Sequence, residues 1–225
     1  MGTFAIADLH GNGEMWVQVR SFLKREDTLY VLGDAADRGP NGWAIIKDIL
    51  ETPNVKYLLG NHDVMLLDTF VEDFDGFGSH AYWNYNGGFT TYTDIQEDKN
   101  ADKYLQELAG MPYYYRYENT KGDIIHLTHA GFDPDKEISE LNDLVWDRSH
   151  LVTKEWRGAD NEYCVFGHTP VPNFKKGAVD IKNCTALLCD GHKIDIDSGC
   201  FTTDELPILN LDTLEVERIC KYDRW

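Results

Sequence analysis

The sequence predicts an α/β fold with a largely parallel sheet, and two observations support this prediction. First, three short apolar runs near the start of the chain are each followed by a stretch with the helical spacing of apolar residues. Such alternation is typical of right-handed βαβ units. Second, the acidic residues that end the first two runs, Asp8 and Asp34, are 34 − 8 = 26 residues apart, which suits a βαβ unit of roughly 30 residues.

The first half of the chain contains three such units and then a segment of different composition. The predicted strands are 4–7, 29–32 and 55–59, and the predicted helices are 15–23, 43–50 and 64–71. Segment 74–97 is rich in aromatic residues, glycine and asparagine, and it includes the run Trp83-Asn84-Tyr85-Asn86-Gly87-Gly88. We expect it to form a helical or looped cap, which is either a lid that contacts substrate or a small hydrophobic subdomain.

The second half of the chain is predicted to consist mainly of strands. Apolar runs occur at 124–128, 164–166, 186–189 and 193–197, and a final antiparallel pair is expected at 207–210 and 215–219. Asp190-Gly191 lies between two of these runs and predicts a β-hairpin. Neither a repeat nor a linker interrupts the sequence, so we expect a single domain over residues 1–225.

The net charge and the cysteines argue against several classes of protein. A formal net charge of −18 disfavours binding of duplex nucleic acid or of an anionic membrane, because both depend on basic patches. No apolar run is long enough to cross a bilayer. The five cysteines form no CxxC pair, and Cys184 and Cys189 lack the spacing of a zinc clip. With no signal-peptide pattern at the N-terminus, we expect a reduced, cytoplasmic protein, and we expect a monomer.

Five short segments at predicted strand ends contain the residue types that bind metal ions. Each segment contains aspartate, asparagine or histidine, and each contains or borders a glycine. The segments are Asp8-Leu9-His10, Gly33-Asp34-Ala35-Ala36-Asp37-Arg38-Gly39, Gly60-Asn61-His62-Asp63, His129-Ala130-Gly131 and Gly167-His168-Thr169. Their oxygen and imidazole donors suit manganese, iron or zinc. Because ligands of open α/β sheets bind beyond the carboxyl ends of the strands, we expect the segments to converge on a two-metal hydrolytic centre.

The predicted ligands divide into two sets with one shared member. Two neighbouring cations need a common anionic ligand that offsets their repulsion, and Asp34 is the best candidate for this bridge. The first metal would also take Asp8 and His10, and the second would take Asn61, His129 and His168. The second set is neutral apart from the bridge, which keeps the site able to accept a phosphate.

These motifs resemble the signature of the calcineurin-like metallophosphoesterases. The matching runs are DLHG, GDAADRG, GNHD, HAG and GHT. Within the second run, Asp37-Arg38-Gly39 resembles the motif of the phosphoprotein phosphatase branch in particular. The segment with Asn86-Gly87-Gly88, together with Trp146-Asp147-Arg148, resembles bacterial and bacteriophage members, namely the lambda-type serine/threonine phosphatases and the symmetrical diadenosine tetraphosphatases. The resemblance implies a four-layer α/β/β/α sandwich of two mixed sheets flanked by helices.

The resemblance also implies roles for the residues that surround the ligands. His62 corresponds to the general acid that protonates the leaving oxygen, and Asp37 to the carboxylate that orients it and favours the imidazolium form. Arg38 corresponds to the phosphate-binding arginine, and Arg148 is expected to be a second one. We expect His62 to lie outside the ligand set, because adjacent extended residues point in opposite directions and Asn61 already serves the second metal.

The resulting hypothesis is a metal-dependent phosphatase. It would hydrolyse phosphomonoesters, with phosphoserine or phosphothreonine in proteins as the leading substrates, by in-line attack of a metal-bridging hydroxide while Arg38 and Asn61 hold the phosphoryl oxygens. Manganese is the expected cation, with iron, zinc or nickel as alternatives. The alternative activity is symmetrical hydrolysis of dinucleoside polyphosphates. A catalytically silent metal-binding scaffold is a hypothesis of a different class, and it has no need of the retained His62 and Arg38.

Three features depart from the family pattern. Ala7 precedes Asp8 where glycine is commoner, and Asp63 ends the third motif where the phosphoprotein phosphatases usually have glutamate. Neither difference removes a ligand. Segment 173–195 is longer than the resemblance implies and differs in composition from what it implies, so we expect this segment to influence the choice of substrate.

Overall fold

Two mixed β-sheets lie face to face, and most of the predicted site residues lie in the loops and at the helix start that follow their strands. The computed structural model describes residues 1–74, 80–134, 141–153, 155–174 and 180–220. In these residues the sheets contain the following strands: β1 (Thr3–Ile6), β2 (Thr28–Val31), β3 (Val55–Tyr57), β4 (Tyr114–Glu118), β5 (Ile124–Thr128), β6 (Glu162–Phe166), β7 (Asp180–Lys182), β8 (Thr185–Leu188), β9 (Lys193–Asp195), β10 (Glu205–Asn210) and β11 (Val216–Cys220).

The α-helices of the described residues lie mainly between the strands of the first half of the chain. They are α1 (Gly13–Phe22), α2 (Gly42–Glu51), α3 (Asn61–Phe70), α4 (His80–Trp83), α5 (Phe89–Glu97), α6 (Ala101–Ala109), α7 (Leu141–Val145) and α8 (Cys200–Thr203). A π-helical turn, Asn84–Gly88, joins α4 to α5. The predicted helices correspond to α1, α2 and α3, with ends that differ by up to three residues.

The first sheet has the strand order β11-β10-β1-β2-β3. β1 and β2 are parallel, with Ala5 opposite Tyr30, and β2 and β3 are parallel, with Val31 opposite Tyr57. This pairing confirms the parallel arrangement predicted from the alternation of strands and helices. β10 and β11 form the expected final antiparallel pair, and β10 also pairs antiparallel with β1.

The second sheet has the strand order β4-β5-β6-β9-β8-β7. β5, β6 and β9 are parallel, while the other neighbours are antiparallel. The hairpin predicted at Asp190-Gly191 is confirmed by the pairing of β8 with β9, although its loop is a 3₁₀ turn over Cys189–Gly191. The sequence analysis did not anticipate β4, β7 or α6, which add edge strands to this sheet and a helix against the first one.

Hydrophobic residues fill three layers around the two sheets. The layer between the sheets is formed by small and branched side chains such as Ala5, Leu32, Leu127 and Val165. The helices α1, α2, α3, α5 and α6 bury apolar residues against the outer face of the first sheet, where the largest cluster lies. A smaller cluster that includes part of α7 covers the outer face of the second sheet. The order helix, sheet, sheet, helix agrees with the four-layer sandwich that was predicted.

The two segments of unusual composition are partly described. In segment 74–97, residues 75–79 lie outside the described residues, and the remainder forms α4, the π-helical turn and α5. Trp83 and Ile95 belong to the same hydrophobic cluster as the central helices, so the described part of the cap packs directly on the main core. In segment 173–195, residues 175–179 lie outside the described residues. No helix of the described residues is long and apolar enough to cross a membrane.

Candidate active site

The candidate site lies where strand-end loops of both sheets meet, and its backbone is conformationally unusual. Six predicted site residues have a positive φ angle, which residues other than glycine rarely adopt: Asp8 (53°), His10 (44°), Asp34 (52°), Asp37 (69°), Arg38 (62°) and His168 (68°). Such conformations cost on the order of 1–3 kcal/mol each and persist where surrounding contacts hold them. Their concentration in one place is typical of a functional site.

Two glycines of the motifs allow the loops to approach each other. A Cβ atom at Gly60 would collide with the Asp34 carboxylate and the His129 imidazole, and one at Gly167 would collide with the Asp8 carboxylate. These glycines are therefore needed for space, because no side chain fits between the loops.

One group of donors surrounds the carboxylate of Asp34 on the side of the loop after β1. Nε2 of His10 lies 3.8 Å from Oδ1 of Asp8 and 3.8 Å from Oδ2 of Asp34. Nδ1 of the same ring lies 3.1 Å from the carbonyl oxygen of Ala36. In the tautomer that donates to this carbonyl, the lone pair of Nε2 points at the two carboxylates, as in a metal ligand.

A second group of donors shares Asp34 with the first. Nε2 of His129 lies 3.3 Å from Oδ2 of Asp34 and 2.9 Å from Oδ1 of Asn61, and Nδ1 of His168 lies 2.9 Å from the same amide oxygen. Nδ1 of His129 lies 2.8 Å from the carbonyl oxygen of Leu32, which turns Nε2 toward the site. All of these side chains are buried.

The second group fits a cation because its electron-rich atoms face one another. With Nδ1 of His129 donating to Leu32, Nε2 of the neutral ring would oppose the oxygens of Asn61 and Asp34 without a proton between them. Burial would lower the pKa of His129, but the charge and hydrogen bond of Asp34 outweigh it and raise that pKa to about 10, which favours a proton on Nε2. A bound cation would take the place of this proton.

The two candidate carboxylate ligands also differ strongly in acidity. Burial, followed by the charge of Asp197, raises the pKa of Asp8 well above its usual range. Burial acts in the same direction on Asp34, but the charges of His129 and His62 outweigh it and hold the pKa of Asp34 well below its usual range. A divalent cation would stabilise both of these buried groups as carboxylates.

His62 lies beside these donors and is oriented by Asp37. Nδ1 of His62 lies 2.7 Å from Oδ2 of Asp37, and the backbone N–H of His62 donates to Oδ1 of Asp34 over 3.0 Å. Nε2 of His62 lies 3.2 Å from Nη2 of Arg38. Because a guanidinium group only donates, Nε2 accepts in this arrangement, and Arg38 has to turn away before Nε2 can present a proton.

Asn61 and His62 were expected to be adjacent extended residues that point in opposite directions, and this expectation is wrong, because both residues begin helix α3. The rings of His62 and His10 are 4.8 Å apart, and a nitrogen of His62 lies within reach of the same cation as His10 and Asp34. The position of His62 alone therefore does not separate a ligand from an acid. The contact of Nδ1 with Asp37 orients the ring in either role, because metal-bound histidines also donate to carboxylates.

Arg148 and two aromatic residues form one edge of the site, next to His168. Nε of Arg148 donates to Oγ1 of Thr169 over 3.1 Å, and Nη2 donates to the carbonyl oxygen of His168 over 3.3 Å. The ring of Trp146 is 6.0 Å from the His168 ring and nearly perpendicular to it, and the ring of Tyr82 is 6.1 Å from that of Trp146. A guanidinium group and an aromatic pair thus border the candidate metal ligands.

Sequence reasoning missed a buried network that supports the ligand loops. Asp63 accepts hydrogen bonds from the backbone N–H groups of Asp34 and Gly60 over 3.1 and 2.8 Å, and from the Tyr57 hydroxyl over 2.8 Å. The same hydroxyl accepts from the N–H of Ala35. Asp63 had been noted only as a departure from the family pattern, and Tyr57 gave no signal beyond its place in a strand.

The structure also places two cap residues against Asp37, and neither contact was predicted from the sequence. Nε1 of Trp83 donates to Oδ2 of Asp37 over 2.6 Å, and the backbone N–H of Asp37 donates to Oγ1 of Thr91 over 3.0 Å. The aromatic composition of the segment was noticed, but no local pattern indicated which of its residues reaches the site.

The chain is similar to known phosphatases over most of its length. It is 26% identical over 204 residues to serine/threonine-protein phosphatase 2 of Salmonella typhimurium, covering 84% of this chain and 89% of that protein. It is 28% identical over 159 residues to the symmetrical bis(5'-nucleosyl)-tetraphosphatase of Salmonella paratyphi A, covering 69% of this chain and 52% of that protein. The chain therefore spans about half the length of the tetraphosphatase that it matches.

Comparison of folds and a family model lead to the same conclusion. A metallophosphoesterase from Sphaerobacter thermophilus has the same fold, with a TM-score of 0.58 and 17% sequence identity over 97% of this chain and 88% of that one. The family model described as calcineurin-like phosphoesterase matches residues 1–172. This match covers more than half of the sequence and contains the five strand-end motifs. The chain belongs to the calcineurin-like phosphoesterase family.

Proposed function

We propose that this phosphoesterase removes phosphate from phosphoserine or phosphothreonine in proteins, at a centre of two divalent cations. The observation that carries the proposal is the arrangement around Asp34. Asp34 belongs to two groups of buried side chains that could each hold a cation, and His62, which is held by the carboxylate of Asp37, belongs to the first of these groups. A scaffold that only bound metal would have no need of an acid held ready for proton transfer.

The proposed ligands follow the two groups of donors. The first cation takes Asp8, His10 and Asp34, and the second takes Asp34, Asn61, His129 and His168. This set is rich in oxygen and imidazole donors and contains no cysteine, so it is unlike a structural zinc site and suits manganese. Iron, zinc and nickel are the alternative cations. When bound, the cations supply a water-derived nucleophile at neutral pH and offset the negative charge of the phosphoryl group.

The remaining side chains bind the substrate and move the proton. Arg38 turns from Nε2 of His62 to the phosphoryl oxygens, where its planar group can form two hydrogen bonds. Asn61 and Arg148 contact the remaining oxygens. His62, oriented by Asp37, then donates the proton from Nε2 to the departing alkoxide, which is a poor leaving group without it.

We place a phosphoprotein substrate first because of the extent of one match among the relatives. The phosphatase from Salmonella typhimurium is matched over nearly its whole length, whereas about half of the tetraphosphatase has no counterpart in this chain. A dinucleoside polyphosphate is the second candidate, because the rings of Tyr82 and Trp146 border the site and an aromatic pair can stack on a nucleobase.

We further propose that the protein acts in the cytoplasm as a monomer. No disulfide joins its five cysteines, all of which lie in the described residues, and this agrees with a reducing compartment. The strongly negative charge disfavours anionic partners such as duplex DNA.

Substrate comparison tests this proposal directly. With manganese added, we expect kcat/KM to be highest for a phosphoserine or phosphothreonine peptide, compared with diadenosine tetraphosphate and an aryl phosphate. Tyr82→Ala serves as the matched variant, because loss of a stacking ring lowers the efficiency for a nucleotide by about 5- to 100-fold and leaves the peptide and the aryl phosphate nearly unaffected. A preference for the tetraphosphate that disappears in Tyr82→Ala would replace the proposed substrate with the second candidate.

A further inference from the structure

The carboxylate of Asp37 has an asymmetric environment. It is fully buried, and Oδ2 receives both Nδ1 of His62 at 2.7 Å and Nε1 of Trp83 at 2.6 Å. Oδ1 is buried and has no hydrogen-bond partner among the residues that the structure describes. Among the residues that the structure describes, the indole N–H of Trp83 is therefore the one donor besides His62 that fixes the orientation of this carboxylate.

The backbone around Asp37 is held by the same part of the cap. Asp37 and Arg38 both have positive φ angles, so their loop needs external support. The N–H of Asp37 donates to the Thr91 hydroxyl over 3.0 Å, and the N–H of Arg38 donates to the carbonyl oxygen of Gly87 over 2.9 Å. Both partners belong to the turn and helix that follow Trp83 along the chain.

The cap residues that make these contacts are themselves fixed by packing. Trp83 has no exposed surface, and its ring lies 5.9 Å from Phe70 and 6.3 Å from Tyr92 in edge-to-face geometry. A Cβ atom at Gly88 would collide with the indole ring, so the backbone approaches the ring closely on that side. The donor that reaches Asp37 thus has little freedom to move.

We propose that Trp83 and Thr91 are positioning residues for the proton transfer, acting on His62 through Asp37. The indole N–H fixes the carboxylate, the carboxylate fixes the imidazole, and Nε2 is thereby aimed at the leaving group. The Thr91 hydroxyl holds the backbone from which Asp37 projects. This proposal rests on the proposed role of His62 as general acid, and it gives the cap a task in catalysis in addition to its place in the hydrophobic core.

Kinetics with two kinds of leaving group test this inference. Trp83→Phe removes the N–H and keeps an aromatic ring, so kcat for an alkyl phosphate such as a phosphoserine peptide should fall by about 10- to 100-fold, the usual range for a hydrogen bond to a charged group. The fall for an aryl phosphate should be several-fold smaller, because a phenolate departs without a proton. The KM values and the bound metal per chain should not change.

Two matched variants separate positioning from general loss of structure. Trp16 also donates its indole N–H to a carboxylate, that of Asp48 at 2.7 Å, but lies outside the site. Trp16→Phe should therefore leave the ratio of the two kcat values unchanged. Thr91→Val should reproduce the selective loss seen in Trp83→Phe, and Thr91→Ser, which keeps the hydroxyl, should recover most of it.

A double variant tells failure of the inference from failure of the proposed function. In a His62→Asn background, Trp83→Phe should cause no further loss, because the group that it positions is gone. An equal fall for both substrates in Trp83→Phe, or a full additional loss in the double variant, would overturn the positioning role. If His62→Asn alone lowered kcat equally for alkyl and aryl phosphates, the assignment of His62 as the general acid would be wrong.

Discussion

The two sides of the active site are held in place in different ways. On the metal side, the candidate ligands are fixed by backbone groups of the strand-end loops, as when His10 and His129 use Nδ1 to bind the carbonyl oxygens of Ala36 and Leu32. On the acid side, His62 is fixed by a carboxylate, and that carboxylate is fixed by Trp83, which lies 46 residues further along the chain.

Because of this difference, we expect substitutions to impair metal binding and proton transfer in different parts of the molecule. The metal side depends on contacts between strand-end loops of the two sheets and on glycines that allow these loops to approach closely, so changes in the cap should leave it intact. The acid side depends on packing between the cap and the core, so changes in the cap should reach the proton transfer. The following predictions test this division, from the largest expected effect to the smallest.

Asp34→Asn should have the largest effect, because it removes the charge shared by both groups of donors. We expect the variant to bind less than one metal per chain and to lose activity by more than about 100-fold on alkyl and aryl phosphates alike. Metal analysis by mass spectrometry and steady-state kinetics measure both quantities. Two tightly bound metals with full activity would show that Asp34 is not the bridge.

His62→Asn should affect turnover without affecting metal content. The loss in kcat for a phosphoserine peptide should be about 10²–10⁴-fold, and the loss for an aryl phosphate should be much smaller. Because His62 also lies within reach of a cation shared with His10, metal content has to be measured in the same preparation. Loss of one metal per chain would show that His62 is a ligand. The distinction between a metal side and an acid side would then be wrong.

Tyr57→Phe should have the smallest catalytic effect and a measurable effect on folding. Removing the hydroxyl leaves the N–H of Ala35 unpaired and takes one donor from Asp63, so the free energy of unfolding should fall by about 1–3 kcal/mol. Urea denaturation measures this change. Tyr115→Phe is the matched control, because its hydroxyl makes a longer contact of 3.4 Å in a half-buried position, and it should lose less stability. A larger loss in the control would contradict the importance assigned to the network.

The same division explains how much could be predicted from sequence. The metal side follows from short motifs, since a glycine next to aspartate or histidine at the end of an apolar run describes a loop and its donor together. The parallel sheet followed from three repeated units for a similar reason. Trp83 and Thr91 could not be predicted, because no strand-end motif marks them and their contacts with Asp37 depend on how the cap packs on α2 and α3.

The contact between Arg38 and His62 was also beyond sequence reasoning. Each residue was assigned a separate role, one toward phosphate and one toward the leaving group. The distance of 3.2 Å between Nη2 and Nε2 links these roles, because the guanidinium occupies the nitrogen from which the proton has to leave. This link depends on side-chain orientation, which no spacing along the chain encodes.

Removal and return of metal test the central claim most directly. The protein should be stripped with a chelator, verified as metal-free, and titrated with manganese while bound metal and phosphatase activity are measured together. The account predicts no activity in the stripped protein and full recovery as the content reaches two metals per chain, since the cations supply the nucleophile. Undiminished activity in verified metal-free protein, or full activity at one metal per chain, would contradict a dinuclear centre.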